Sequence, residues 1–131
     1  MKKQGTDSRL YNKNFLDACK RAFNGIGYAV KSQGNIQKQL IIAVVLVIIG
    51  FVFKLNKWEC IVLCFAIFFV IVAEMINTAI ETAVDLVTME YHEKAKLAKD
   101  VAAGAVVISS INAIIVAYFL FFDKIIAFFI K

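Results

Sequence analysis

The chain has 131 residues, 61% of them hydrophobic and none of them proline, and its mean hydropathy is +0.75. Soluble domains contain roughly 45–50% apolar residues, and a soluble core of 14.6 kDa could not hide several long uncharged runs. The composition therefore excludes a soluble enzyme and a disordered chain. It predicts an all-α membrane protein that forms a single domain over residues 1–131.

The net charge of +5 indicates membrane orientation and not nucleic-acid binding. Eight of the fifteen Lys and Arg residues lie in residues 1–39, ahead of the first long apolar run. Basic residues that flank a membrane span stay in the cytoplasm. We therefore expect a multi-pass protein with a cytoplasmic N-terminus and no nucleic-acid partner.

Two further features bear on processing and on cysteine chemistry. Residues 1–14 form a polar segment without the apolar core of a signal peptide, so we expect no cleavage. The three cysteines are an odd number with no C-x-x-C spacing, and Cys60 and Cys64 lie one turn apart in an apolar run. They are interpreted as small apolar packing residues, not as a disulfide or metal framework.

An N-terminal amphipathic surface helix is predicted at about residues 15–34. Apolar side chains recur at helical spacing along one side of it: Leu16, Cys19, Phe23, Ile26 and Val30. Polar and basic side chains occupy the other side, which suits a helix lying in the membrane interface. A helix packed against the base of the bundle is the alternative.

Three spanning helices are predicted at about residues 36–55, 60–87 and 101–122. The uncharged run over residues 40–53 covers only about 21 Å of a roughly 30 Å hydrocarbon core, so the first helix must start a turn earlier. The second helix is roughly 42 Å long and must leave the membrane at one end. Three spans place the connection between the second and third helices in the cytoplasm.

Four polar side chains fall within about 80° of one face of the second spanning helix, at Glu74, Asn77, Glu81 and Asp85. A carboxylate at membrane depth costs roughly 2.5 kcal/mol or more, which makes a functional site the default hypothesis. The alternative is a ladder of hydrogen bonds with three polar side chains of the third helix, Ser109, Ser110 and Asn112.

Acids on one stripe repel each other unless a cation joins them, and oxygen-only ligands suit Mg²⁺. Mg²⁺ in turn suggests a phosphate substrate. The connector after the stripe adds His92 and three lysines that could pair with phosphates, Lys94, Lys96 and Lys99. An ordinary solvated loop is the alternative for this connector. Neither G-x-x-x-x-G-K-[ST] nor G-x-G-x-x-G occurs, so the residues alone indicate an acid-lined, cytoplasm-facing site for a divalent cation.

The run E-M-I-N-T-A-I-E-T-A-V-D at 74–85, followed by E-Y-H at 90–92 and A-K-D at 98–100, closely resembles the signature of the prokaryotic diacylglycerol kinase family, which includes the undecaprenol kinases. The resemblance extends from about Asn14 to Tyr118. It implies three spanning helices and a surface helix in the plasma membrane of a bacterium, assembled as a homotrimer with active sites shared between subunits. The implied activity is phosphorylation of a membrane lipid alcohol, with ATP as co-substrate and Mg²⁺ as cofactor.

The same resemblance implies roles for individual residues. Glu74 would be the general base, Glu81 a Mg²⁺ ligand, and Asn77 and Asp85 would line the active site. The lipid would meet residues 18–23 and 35–39. The nucleotide would meet a further set, Glu81, Glu90, Tyr91, His92, Lys99 and Asp100.

This chain departs from the family pattern at Gln33, where the family carries a second metal-binding glutamate. A glutamine oxygen can still coordinate Mg²⁺, but it brings no charge. We therefore expect weaker binding of the metal and of ATP unless another acid substitutes.

The segment from Asp100 to Lys124 is similar to that of Gram-positive members. This favours undecaprenol as the substrate, with undecaprenyl phosphate as the product; the alternative is diacylglycerol, which would give phosphatidic acid. A small proton or cation transporter subunit, with Glu74 as its ion site, is an alternative from another class. The transporter hypothesis does not explain why the acidic stripe continues past the membrane interface. It also does not explain why the connector is rich in lysine. A structural protein without catalysis is disfavoured because each ionisable group on the stripe is costly without a use.

Overall fold

The computed structural model describes residues 15–130, and within that range the chain is helical with no strand. Four helices follow one another: α1 (Phe15–Ser32), α2 (Gly34–Val52), α3 (Lys57–Val87) and α4 (Glu93–Phe129). The last three are long and apolar enough to cross a membrane. The predicted fold class, three spanning helices with an N-terminal helix, is confirmed. The predicted uncleaved segment, residues 1–14, lies outside the described residues.

The helix ends differ from the limits of the predicted spans. The 19 residues of α2 measure about 28 Å, so its start at Gly34 supplies the turn that the uncharged run lacks. α4 begins at Glu93 instead of Val101 and continues to Phe129 instead of ending at 122. Hydropathy marks where a helix meets lipid, and a charged turn continues the same helix beyond that point.

α1 is amphipathic, as predicted, and its apolar stripe is largely uncovered by the rest of the chain. Ala29 is buried near the end of the helix, whereas Leu16 and Phe23 are exposed. This arrangement favours the interfacial alternative over a helix packed along its length against the bundle.

The junction between α1 and α2 is a single extended residue, Gln33, held by the next turn. The side-chain amide of Gln37 donates to the carbonyl oxygens of Val30 (3.0 Å) and Lys31 (3.2 Å). These are free carbonyls in the last turn of α1, so Gln37 caps one helix from the first turns of the next.

α2 ends in a tight reversal. Lys54 adopts a positive φ of 51°, and the backbone N–H of Leu55 donates back to the carbonyl of Gly50 over 3.0 Å. A Cβ at position 50 would lie 3.1 Å from Leu55 Cδ1, so the glycine lets Leu55 fold against the helix. The chain is then directed into α3.

α3 begins at a capping box. The Asn56 side chain accepts from the backbone N–H groups of Trp58 and Glu59, and Glu59 accepts from the backbone N–H of Asn56 over 2.8 Å. Glu59 also pairs with Lys124 of α4 over 3.1 Å. The α2–α3 turn is therefore tied to the distal part of α4.

α3 and α4 are antiparallel neighbours and form the most extensive packing in the described chain. Small or mid-sized side chains are buried on these helices, including Ala66 of α3 and Ala102 of α4, and Leu63 of α3 lies against Gly50 of α2. The outer faces carry exposed large apolar side chains, as a protein that is multi-pass in a membrane requires.

Candidate functional site

The polar stripe of α3 runs from the middle of the bundle to its α3–α4 end. Glu74 and Asn77 are buried, with 4% and 6% of their surfaces exposed, Glu81 is half-buried, and Asp85 is exposed. The four residues share one helix face, as the sequence predicts, and their exposure increases toward the α3–α4 connection. The stripe thus runs from the buried middle of the bundle to the exposed α3–α4 connection.

Glu81 is oriented by its neighbour on the stripe. The Asn77 side-chain nitrogen donates to Glu81 Oε1 over 3.1 Å. The other polar atom of that amide, Asn77 Oδ1, is buried without a hydrogen-bond partner in the described chain. A buried acceptor without a partner costs roughly 1–3 kcal/mol, so this oxygen is available to a ligand.

The Glu74 carboxylate makes no hydrogen bond or ion pair with any residue from 15 to 130, although it is almost fully buried. The predicted alternative, a ladder to the third spanning helix, is not formed in this range. Ser109 instead donates to the carbonyl of Val106 in its own helix over 2.8 Å. A buried carboxylate without a partner is expensive to maintain, and a functional use is the simplest explanation for it.

Asp85 lies at the far end of the stripe and is paired across the helix interface. Lys99 Nζ of α4 lies 2.6 Å from Asp85 Oδ1. One turn along α4, Lys96 Nζ lies 2.6 Å from Asp100 Oδ2. Two lysines and two aspartates therefore stand together where α3 meets α4.

These groups line an open polar cavity of about 420 Å³, termed here the polar cavity. It brings together five of the six residues that the resemblance assigns to the nucleotide, Glu90, Tyr91, His92, Lys99 and Asp100, and Asp85 of the stripe also lines it. Glu81 is not part of its lining. Gln33 lies at the α1–α2 junction, half-buried and without a side-chain capping bond.

The connector residues in the polar cavity are held by local hydrogen bonds. His92 Nδ1 accepts from the backbone N–H of Lys94 over 3.2 Å, so the imidazole caps the N-terminus of α4. Thr88 Oγ1 both donates to the Glu90 carbonyl and accepts from the Glu90 N–H, each over 3.2 Å. These hydrogen bonds hold the connector in a defined turn. An ordinary solvated loop, the alternative given by the sequence, would not need them.

The three connector lysines do not share one environment. Lys96 and Lys99 line the polar cavity, whereas Lys94 lines an adjacent, largely apolar cavity. Lys96 is absent from the set of nucleotide contacts that the resemblance implies. Lys96 is one of the three lysines that the sequence offers as phosphate partners, and the structure separates it from Lys94 by placing it in the polar cavity.

A third cavity, of about 320 Å³ and termed here the apolar cavity, lies between α2, α3 and α4. Its lining is almost entirely aliphatic and includes Ile67 and Ile71 of α3, which share the face that carries Glu74. Its polar members are Ser110 and Gln39, and Gln39 Oε1 is buried without a hydrogen-bond partner in the described chain.

A sequence profile of the family described as prokaryotic diacylglycerol kinase matches residues 20–121. The chain is 38% identical to the diacylglycerol kinase of Synechocystis sp., over 79% of this chain but only 59% of that protein. It is 33% identical to the undecaprenol kinase of Bacillus subtilis, over 90% of this chain and 96% of that protein. It is 27% identical to the diacylglycerol kinase of Escherichia coli K12, over 76% of this chain and 82% of that protein.

The profile covers most of the chain, and the matched residues include the whole polar stripe and both lysines of the polar cavity. The relatives carry the names of lipid kinases that differ in substrate. This chain therefore belongs to the prokaryotic diacylglycerol kinase family and is a lipid kinase.

Proposed function

We propose that this chain transfers the γ-phosphate of ATP to the hydroxyl group of undecaprenol, with Glu74 as the general base. The observation that carries the proposal is one continuous face of α3. Ile67 and Ile71 on that face line the apolar cavity, Glu74 follows one turn later, and Asp85 lies in the polar cavity.

The spacing along this face suits a lipid and a nucleotide that approach from opposite ends. Glu74 lies about 4.5 Å along the helix axis from Ile71 and about 16 Å from Asp85. A hydrocarbon chain in the apolar cavity would bring its terminal hydroxyl to Glu74. A nucleotide in the polar cavity would extend its triphosphate along the stripe, past Glu81.

The transfer makes modest chemical demands. The lipid oxygen attacks the γ-phosphorus, a new O–P bond forms, and the bond from phosphorus to the leaving oxygen of ADP breaks. Glu74 accepts the hydroxyl proton as this happens and later releases it to solvent. Phosphoryl transfer depends mainly on positioning, which the stripe would supply, and on charge neutralisation, which a cation held by the stripe and the two lysines would supply.

The oxygen atoms of the stripe fit Mg²⁺. Glu81 and the buried, unpaired Asn77 Oδ1 are adjacent oxygen donors on one face, and Mg²⁺ prefers oxygen ligands. Mg²⁺ commonly binds one or two carboxylates and completes its shell with phosphates and water. Among residues 15–130 no group of three or more His, Cys, Asp or Glu is placed to hold a metal, so the cation would be shared with the nucleotide. When bound, it would neutralise charge on the transferred phosphate.

Gln33 would take part only as a neutral oxygen donor. It stands at the α1–α2 junction, where the family pattern has a glutamate. We therefore propose Glu81 as the principal protein ligand of the metal in this chain.

Undecaprenol is favoured over diacylglycerol on two grounds. The match to the Bacillus subtilis relative, named an undecaprenol kinase, covers 96% of that protein. The match to the Synechocystis relative, named a diacylglycerol kinase, covers 59% of that protein. The apolar cavity is also lined almost wholly by aliphatic side chains. Gln39 is one of few polar groups in it that could hydrogen-bond the ester groups of diacylglycerol, which undecaprenol lacks. The higher identity of the Synechocystis protein keeps diacylglycerol as the second candidate.

We further propose that the site faces the cytoplasm and that three copies of the chain share their active sites. Cytoplasmic ATP and the basic N-terminal region support the orientation. Membership of the family supports the trimer.

The test is transfer of labelled γ-phosphate from ATP in mixed micelles that contain Mg²⁺, with undecaprenol and diacylglycerol offered in parallel at equal surface concentration. Faster turnover of undecaprenol supports the proposal. Faster turnover of diacylglycerol assigns the second candidate, and labelling of neither lipid contradicts both.

A further inference from the structure

We propose that Lys96 is a second phosphate-binding residue beside Lys99, and that Asp100 and Asp85 hold the two lysines in place until the triphosphate displaces them. This inference rests on the proposed function, because it assigns the nucleotide to the polar cavity. It goes beyond the signature residues, which include Lys99 but not Lys96.

The first support is placement. Lys96 and Lys99 are three residues apart on α4, so they share a helix face, and both line the polar cavity. Lys94, two residues before Lys96, lies on another side of the helix and lines a separate, largely apolar pocket next to the polar cavity. One of two nearby lysines is therefore directed at the proposed nucleotide site and the other is not.

The second consideration is the charge of the cavity, which opposes the entry of anions and so explains the part played by the aspartates. Three acids, Asp85, Glu90 and Asp100, stand against two lysines, so one negative charge is in excess when His92 is neutral. Each lysine is already neutralised by an aspartate at 2.6 Å. A weakly charged anion gains little by entering such a site, because both cations are already paired.

The third consideration is that the ion pairs are easily exchanged. The side chains of Lys96 and Asp100 are 61% and 57% exposed, and those of Lys99 and Asp85 are 37% and 49% exposed. Exposed ion pairs contribute little to stability, whereas a phosphate accepts several charge-assisted hydrogen bonds from one ammonium group. The displaced aspartates remain at the water-accessible rim, so neither is left buried without a partner.

The consequence is selectivity for a polyphosphate. Two lysines three residues apart can contact two phosphate groups of one nucleotide, whereas inorganic phosphate can replace only one aspartate at a time. Asp85 and Asp100 therefore position the two lysines. They also weaken the binding of any anion that can displace only one of them.

The test compares Lys96→Gln with the matched control Lys94→Gln and with Lys96→Arg, which keeps the charge. Two quantities are measured on the full-length protein in micelles: the KM for ATP in lipid phosphorylation, and the dissociation constant for MgATP without lipid. Loss of a charge-assisted contact should raise both by about tenfold in Lys96→Gln. Lys94→Gln and Lys96→Arg should stay close to the unmodified protein, and kcat should change little.

The outcomes separate this inference from the proposed function. Equal MgATP affinities in Lys96→Gln and Lys94→Gln would overturn the role of Lys96, even if the lipid is phosphorylated. If no lipid is phosphorylated but MgATP binding still depends on Lys96, the inference holds and the proposed reaction fails. If the unmodified protein does not bind MgATP, both are overturned.

Discussion

Asn77 donates from its side-chain nitrogen to Glu81 Oε1 over 3.1 Å, one turn along the same face of α3. This contact fixes the carboxylate that we propose as the main metal ligand. Groups that orient a metal ligand typically contribute 10–100-fold to metal affinity or activity. Asn77→Leu should therefore raise the Mg²⁺ concentration for half-maximal turnover by about tenfold. An unchanged Mg²⁺ midpoint would show that neither the Asn77 oxygen nor the hydrogen bond to Glu81 contributes to metal binding.

Gln33→Glu should lower the Mg²⁺ midpoint, because it restores a carboxylate where the family pattern has one. The side chain is half-buried, makes no capping hydrogen bond and stands at the N-terminus of α2, where a negative charge is favourable. The measurement is a Mg²⁺ titration of phosphate transfer, with Gln33→Asn as the neutral control. A midpoint that is the same in both variants would place Gln33 outside the metal site.

Ala113→Leu should weaken lipid binding without affecting the nucleotide. Ala113 lines the apolar cavity, so three added carbons would occupy space that we assign to the substrate's hydrocarbon chain. The expected result is a raised KM for undecaprenol and an unchanged KM for ATP. Ala127→Leu makes the same change on an exposed part of α4 and is the control. Equal lipid KM values in the two variants would exclude the apolar cavity as the lipid site.

Mixed oligomers test whether subunits share active sites. Glu74→Gln and Lys99→Gln should each be nearly inactive alone, because each lacks one essential part of the proposed site. If a site uses Glu74 from one subunit and Lys99 from its neighbour, co-assembly of the two variants restores some turnover. Complete lack of recovery in oligomers shown to contain both variants would confine each site to one chain.

The helical architecture was largely predictable from the sequence. Uncharged runs of sufficient length identify the three spans, and the alternation of Leu16, Phe23 and Ile26 with polar residues identifies α1. The helix ends were less predictable, because hydropathy reports contact with lipid and gives no information about where a charged helix stops. α4 therefore starts at Glu93, within a segment that the sequence treats as a connector.

The candidate site was predictable along one helix but not between helices. The stripe from Glu74 to Asp85 follows from helical periodicity alone. The pairing of Asp85 with Lys99 depends on the register of α4 against α3, which the spacing of residues along a sequence does not encode. The same register separates Lys96 from Lys94, and only the structure distinguishes them.

The capping box at Asn56 was a missed local signal. Asn followed three residues later by Glu is a variant of the common helix-start pattern, and it stands immediately before an apolar run. It would have placed the start of α3 at Lys57 instead of about residue 60.

The role of Glu74 as general base is tested by transfer of the γ-phosphate of ATP to undecaprenol, measured side by side for the unmodified protein and for Glu74→Gln. The substitution keeps the size of the buried side chain and removes its ability to accept the hydroxyl proton. We predict that Glu74→Gln stays folded, binds MgATP as the unmodified protein does, and loses nearly all turnover. Retained turnover in a folded Glu74→Gln protein would show that Glu74 is not the general base.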